Sequence, residues 1–287
     1  SEDHEQAEWV AYELTKDRVS GSVNRVDNFR EDVKVLTGSA TLDDYKGSGY
    51  DRGHLAPAGD MKFSRIAMSE SFFMSNMSPQ NASFNRGIWR ELESLIRKWA
   101  VDHGSIYVIT GGVLNSCSSS IGDSRVGVPN YYYKVILYYN NSEIKAIAFL
   151  LPNQKGTQQL SYYVKSINYI EDITGIDFFP ELSDDIENRL EEKSYIDQWS
   201  WMSNENPNKD YDRCQGIMVD GSRCYNTVST SAYCYTHAIQ SDPNYNPSSN
   251  RLSTANRCVA NMKSGKRCKR KTYCVNKKCS SHEGNCY

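Results

Sequence analysis

Asp51, Arg52 and His54 stand within four residues in the run Gly49-Tyr50-Asp51-Arg52-Gly53-His54-Leu55-Ala56-Pro57. About thirty residues later, Ser83-Phe84-Asn85-Arg86-Gly87-Ile88-Trp89-Arg90-Glu91-Leu92-Glu93 adds an amide and a carboxylate. Imidazole is the side chain whose ordinary pKa lies nearest neutrality, so beside a carboxylate and a guanidinium it is equipped to take a proton from water next to a phosphate. Asn85 and Glu93 offer hard oxygen atoms suited to Mg²⁺ (or Mn²⁺), which usually accepts only one or two protein groups and keeps several waters. The set suits metal-assisted hydrolysis of a phosphodiester.

Taken singly, each residue has an ordinary role. Asp51 and Arg52 could form a surface ion pair worth under about 1 kcal/mol, and His54 could be a solvated histidine in a glycine-containing turn. Asn85 could cap the helix that its neighbours begin, with Glu93 on that helix's wet face. It is their joint occurrence, in this order and spacing, that favours chemistry.

Asp51-Arg52-Gly53-His54, followed by Asn76-Met77-Ser78-Pro79-Gln80, Asn85-Arg86-Gly87, Trp89 and Leu92-Glu93, resembles the DNA/RNA non-specific endonucleases. These are the sugar-non-specific branch of the ββα-metal, or His-Me finger, nucleases, to which mitochondrial endonuclease G belongs. The resemblance extends upstream through Trp9 to Thr15 and Asp43-Asp44-Tyr45, and downstream through Ile106 to Gly111 and Leu182 to Ile186, covering roughly residues 8 to 195. It implies that His54 is the general base and Asn85 the direct metal ligand. It also implies that Glu93 holds metal-bound waters, and that Arg52, Arg97 and Arg25 neutralise phosphate charge, with Asp51 part of the motif. On an unbroken helix Glu93 would lie on nearly the same face as Asn85.

The expected reaction is hydrolysis of DNA and RNA without sequence preference, leaving a 5′ phosphate and a 3′ hydroxyl. Two other classes compete: a phosphodiesterase acting on small diesters, and a catalytically inactive nucleic-acid or protein-binding module. The inactive module would have lost the proton acceptor or the metal ligand, yet His54, Asn85 and Glu93 are all present.

The elements that must position these groups read as α+β: a ββα-metal core with a mostly antiparallel sheet flanked by helices. Ile106 to Gly111, Tyr131 to Tyr139 and Ile144 to Leu151 are rich in β-branched and aromatic residues and read as strands, with a hairpin at Asn140-Asn141-Ser142. Asn85 to Ala100 has helical periodicity; Gln159 to Thr174, stopped by Gly175, and Leu182 to Glu191, after Pro180, also read as helices. The 20 tyrosines are read as packing and strand residues rather than as a platform for stacking bases.

At 287 residues the chain can bury one sizeable core and still carry an appendage. We divide it into an endonuclease domain, 1–202, and a basic tail, 203–287. The tail holds 13 of the 33 Lys and Arg and 6 of the 35 Asp and Glu, a balance of +7, which leaves 20 and 29, a balance of −9, in residues 1–202. The overall charge of −2 hides this asymmetry. An acidic core needs a local arginine cluster to attract a polyanion, whereas the basic tail could recruit nucleic acid or simply solubilise the chain.

The tail carries a tandem repeat over about 213–239 and 257–284. Cys214, Cys224, Cys234 and His237 recur as Cys258, Cys268, Cys279 and His282 at a period of 44 residues, lengthened by one before the third cysteine. Three thiolates and an imidazole fit a closed tetrahedral Zn²⁺ site, and units this short need such a staple. Two structural zinc ions are therefore expected; a disulfide framework is the competitor, but it leaves both histidines unexplained. Cys274 and Cys286 could pair with each other, and Cys117 stands alone in the core.

No apolar run is long enough to span a membrane. The start at Ser1, without methionine, reads as an upstream segment removed or omitted. An indiscriminate nuclease endangers its own genome, so a secreted or periplasmic bacterial protein is the first expectation and a mitochondrial one the alternative. Two glycosylation patterns, Asn76-Met77-Ser78 and Asn81-Ala82-Ser83, fall inside the proposed site and argue against a glycosylating route. The oligomeric state is open, a homodimer being one option.

Overall fold

A computed structural model of the chain describes residues 1–202 and two short strands, Asn256–Arg257 and Lys271–Thr272, which pair antiparallel. The tail cysteines and histidines expected to bind zinc lie outside the described residues. In chain order the core elements are β1 (Val10–Thr15), α1 (Lys16–Val19), α2 (Leu42–Tyr45), β2 (Tyr50–His54), α3 (Arg65–Glu70), β3 (Met77–Asn81), α4 (Ala82–Phe84) and α5 (Arg90–His103). They continue as β4 (Ser105–Gly112), β5 (Ser119–Ile121), β6 (Val126–Val128), β7 (Tyr131–Tyr139), β8 (Ile144–Pro152), β9 (Val164–Lys165), α6 (Ile167–Thr174) and α7 (Asp184–Glu192). The class is α+β, as the sequence reading expects.

Five strands form an antiparallel sheet in the order β1-β4-β7-β8-β9. β7 and β8 occupy their predicted spans, and their turn is made by Asn140, whose Oδ1 accepts hydrogen bonds from the backbone N–H of Ser142 and Glu143. Side-chain alternation along β7 builds two cores. Tyr132 and Ile136 pack with Trp89, Leu92, Ile96 and Trp99, while Tyr133, Val135 and Leu137 pack with Ile167 and Ile170 of α6 and Leu190 of α7. Helices therefore cover both faces of the sheet. The buried Tyr132 and Tyr133 act as packing residues, in line with the reading of the tyrosines.

The expected helix over Gln159 to Thr174 is half right. Its first part is a short 3₁₀ turn, Leu160–Tyr163, then β9, which joins the sheet edge beside β8. The helix starts only after Ser166, whose side chain caps it. The β-branched Val164 is buried against the core, and pairing with Phe149 of β8 outweighs local helical periodicity there.

β2 and β3 form a separate antiparallel pair, with Asp51 opposite Gln80, Gly53 opposite Ser78 and His54 opposite Met77. Tyr132 ties this pair to the sheet: its hydroxyl donates to the Pro79 carbonyl at 2.9 Å and lies 2.6 Å from Ser78 Oγ. Gly53 is required by close approach, since a Cβ there would fall 2.2 Å from Cδ of Gln80, a side chain with no room to withdraw.

From β3 the chain passes directly into helix. Asn81, not Asn85, is the cap, its side chain accepting from the Ser83 N–H. Asn85–Trp89 then forms a wide, π-type turn in which Gly87 leaves helical geometry (φ −105°, ψ −115°) before α5 runs on to His103. The predicted helix thus starts three residues earlier and is kinked at Gly87. The kink at Gly87 falls between Asn85 and Glu93, so the two do not share one straight helix.

Candidate active site

His54 ends β2 rather than sitting in a turn. Its ring meets Phe72 edge-on at 4.9 Å and Phe29 at 5.7 Å between centroids. The same two rings carry the cations: the Arg25 guanidinium lies 4.8 Å from the Phe72 centroid and that of Arg52 4.1 Å from Phe29. Arg25 is braced by Asp27, Nε to Oδ1 at 2.6 Å. Two phenylalanines therefore hold His54 and the two arginines together; the sequence reading named those three residues but not Phe29 and Phe72 as their frame.

His54 Nε2 is buried and has no hydrogen-bond partner among the described residues. Burial is the main reason that its pKa falls from the ordinary 6.5 to about 3; the nearby Arg25 charge lowers it further, against the Asp27 charge and the Arg52 backbone carbonyl. The imidazole is neutral, as a proton acceptor must be.

This has a consequence for stability. The unfolded chain takes up the proton near pH 6.5 and the folded chain only near pH 3, so between these values the unfolded state holds more protons and stability falls as the pH is lowered. We predict that His54→Phe loses less Tm than the wild type between about pH 7 and about pH 5. Parallel losses in a thermal scan at each pH would contradict the assignment.

Asp51 does not pair with Arg52. Its Oδ2 accepts from Asn85 Nδ2 at 2.9 Å and from Arg86 Nε at 2.8 Å, and its Oδ1 from Arg86 Nη2 at 2.6 Å. These bonds outweigh the effect of burial and lower the carboxyl pKa. Asn85 thus spends its amino group on Asp51 and keeps its carbonyl oxygen available. Asn85, Arg86, Asp51, Arg52, Arg25 and Phe29 line a common groove of about 550 Å³.

Glu93 occupies a more enclosed environment. Burial raises its pKa, and the Asp60 charge adds to this, against the cations Lys134, Arg97 and Arg25. Lys134 is fully buried in β7, on the sheet face that carries Tyr132 and Ile136. Its Nζ donates to Thr110 Oγ1 at 2.8 Å and lies 4.7 Å from the Trp89 centroid; burial lowers its pKa, with Glu93 and Asp60 opposing. Arg97 is tied down, Nη1 donating to Asp60 Oδ1 at 2.8 Å and Nη2 to Ser94 Oγ at 3.1 Å. Tyr12 donates to the other Asp60 oxygen at 2.7 Å.

Asp60 therefore holds two partners while only 1% exposed. Asp60→Ala would leave a part-buried guanidinium and a phenol unpaired, and we predict a loss of about 3–5 kcal/mol in unfolding free energy. Urea titration checks this.

A divalent ion fits the donor set. The available Asn85 oxygen and the Glu93 carboxyl are hard ligands. An ion that keeps most of its waters needs only one or two such protein groups.

A strand pair running straight into a helix, with histidine at a strand end and asparagine at the helix start, defines the ββα-metal class of nuclease fold. The chain belongs to the DNA/RNA non-specific endonuclease family, whose model matches residues 1–185. It is 36% identical over 200 residues to the mitochondrial nuclease EXOG of Mus musculus, covering 63% of this chain and 54% of that protein. It is 37% identical over 194 residues to nuclease C1 of Cunninghamella echinulata var. echinulata, covering 61% of this chain and 77% of that protein. With the mitochondrial endonuclease G of Homo sapiens it shares 32% over 189 residues, 61% of this chain and 64% of the relative. The match spans about half the length of the EXOG proteins.

Among solved structures, a chain of an EndoG/EndoGI complex, which addresses the mechanism of EndoG inhibition, superposes with a TM-score of 0.59 at 28% identity. The overlap covers 64% of this chain and 82% of that one. No described helix is long and apolar enough to cross a membrane. The expectation of a secreted or periplasmic protein gains no support from these relatives, several of which are named as mitochondrial.

Proposed function

We propose that the chain is a Mg²⁺-dependent (or Mn²⁺-dependent) endonuclease that hydrolyses DNA and RNA without marked base or sugar preference, leaving 5′-phosphate and 3′-hydroxyl ends. The observation that carries this reading is the buried, neutral His54, its Nε2 unengaged, framed with Arg25 and Arg52 next to the groove that Asn85 lines.

His54 takes the proton of the attacking water at Nε2. Its low basicity comes mainly from burial, with the Arg25 charge adding to it; a substrate phosphate between Arg25 and Arg52 brings negative charge that raises it. The two arginines hold the phosphate and offset the charge that grows on it, and the low-dielectric wall of Phe29 and Phe72 strengthens that attraction. Asn85 would hold the metal through its carbonyl oxygen, and Glu93 through bound waters. A bound Mg²⁺ would supply positive charge to offset the negative charge that grows in the reaction. Arg97, committed to Asp60 and Ser94, acts on Glu93 and shapes the pocket more than it grips phosphate directly. These groups address phosphate, and none presents the paired donors and acceptors that read base edges.

Incubation with supercoiled plasmid, single-stranded RNA and a small chromogenic diester, each with Mg²⁺ and with EDTA, tests the reading. Cutting of plasmid and RNA in Mg²⁺ alone is expected. Turnover of the small diester only would make the protein a phosphodiesterase, and binding without turnover a non-catalytic module.

The mitochondrial names of several relatives make a mitochondrial location our second proposal. For the tail we propose two structural zinc ions on the two Cys₃His sets. Elemental analysis of tag-free protein should return two zinc per chain; zinc-free protein with these cysteines oxidised in pairs would identify disulfide staples instead.

A further inference from the structure

We infer that Asp51 and Arg86 form a positioning device that fixes which end of the Asn85 amide faces the metal. The inference rests on the proposed role of Asn85 as a ligand. An asparagine amide is nearly symmetric in shape, so a ligand asparagine is useful only if its surroundings distinguish nitrogen from oxygen. Asp51, a carboxylate held in a two-oxygen ion pair by Arg86, accepts rather than donates; it draws Nδ2 to itself at 2.9 Å and so turns the oxygen the other way. A carboxylate next to an ion site would ordinarily compete to bind the ion. Here both of its oxygens are engaged by Arg86, at 2.6 and 2.8 Å, which holds Asp51 as an acceptor for Asn85 and away from the metal.

The geometry explains residue choices that general-base chemistry leaves unexplained. Asp51 and Gln80 are opposite each other on β2 and β3, so Asp51 is rigidly placed below the wide turn that carries Asn85 and Arg86. The adjacent positions 85 and 86 both reach the same carboxylate, one to be oriented by it and one to neutralise it.

A charge swap tests the inference with sharply different outcomes. Mn²⁺ affinity is read by electron paramagnetic resonance on folded protein, in parallel with plasmid cleavage, for Asp51→Asn, Asn85→Asp, Asn85→Ala and the double variant Asp51→Asn/Asn85→Asp. Asp51→Asn can donate or accept, so the amide loses its orientation and Mn²⁺ binding should weaken by about 10–100-fold. Asn85→Asp alone sets two carboxylates against each other and should also perturb the site. The double variant places an acid at 85, where both atoms are oxygen, and an amide at 51 that can donate to it; affinity should return to within about fivefold of wild type. Wild-type Mn²⁺ binding in Asp51→Asn, or additive losses in the double variant, would overturn the inference while leaving Asn85 as ligand intact. Wild-type Mn²⁺ binding in Asn85→Ala would instead remove the ligand role on which it rests.

Discussion

His54→Ala should reduce metal-dependent cleavage of plasmid DNA by about a hundredfold to ten-thousandfold, the usual contribution of a positioned general base. No other described imidazole is packed into the groove's phenylalanine frame: His4 bonds with Ser1 Oγ, and His103 packs on Tyr138 and Trp199. The ring packs against both Phe29 and Phe72, so alanine also leaves a void, and some stability is lost with the activity. His54→Gln fills more of that space without supplying a base of comparable strength. Comparing the two separates chemistry from packing: both should be inactive, and Gln better folded by circular dichroism. A folded variant of either kind with near-normal turnover would remove His54 from the reaction.

Asn85→Ala should abolish Mg²⁺-dependent activity and weaken Mn²⁺ binding, with Glu93→Gln less severe if, as proposed, Glu93 acts through water. The environments support this order. Asn85 is held by a single strong partner and offers its oxygen to the groove, whereas Glu93 is embedded among Lys134, Asp60 and Arg97. Neutralising Glu93 should therefore also disturb the buried Lys134, so part of its effect will be a loss of stability. Titrations of activity against Mg²⁺ concentration check the order; a larger defect in Glu93→Gln at saturating Mg²⁺ would reverse the two roles.

Much of this site was legible because its residues are few and close in sequence. Asp51 to His54 lies on one strand and Asn85 to Glu93 on one helical stretch, so local motifs convey most of the geometry. The long sheet strands were legible for a different reason: β7 and β8 are apolar, β-branched and bounded by turn residues. β2 and β3 escaped notice because they carry polar, functional residues and a proline where a strand ordinarily shows alternation.

The supporting residues were hidden by distance along the chain. Tyr12, Asp60, Arg97, Thr110 and Lys134 come from five separate segments and meet only after the sheet has assembled. One signal was available: a lysine in the middle of the otherwise apolar β7 must find partners if the strand is buried. Its position two residues from Tyr132 and Ile136 would even have given its face. The pairing of Asp51 with Arg86 rather than with its neighbour Arg52 could not be read, because β2 was not recognised as a strand, in which adjacent residues point to opposite sides. The kink at Gly87, likewise, follows from how β3 enters the helix and not from helical periodicity.

We propose that this core activates water to displace the 3′ oxygen of a nucleic-acid phosphodiester. This is tested most directly by cutting a defined oligonucleotide in ¹⁸O-enriched water with Mg²⁺ and weighing the products. One ¹⁸O on a 5′-terminal phosphate and an unlabelled 3′ hydroxyl are expected, with about a hundredfold or more less product from His54→Ala. Cleavage leaving a 3′ phosphate or a cyclic 2′,3′ phosphate would contradict it, because the leaving atom, the nucleophile or both would differ from those that the site is proposed to serve.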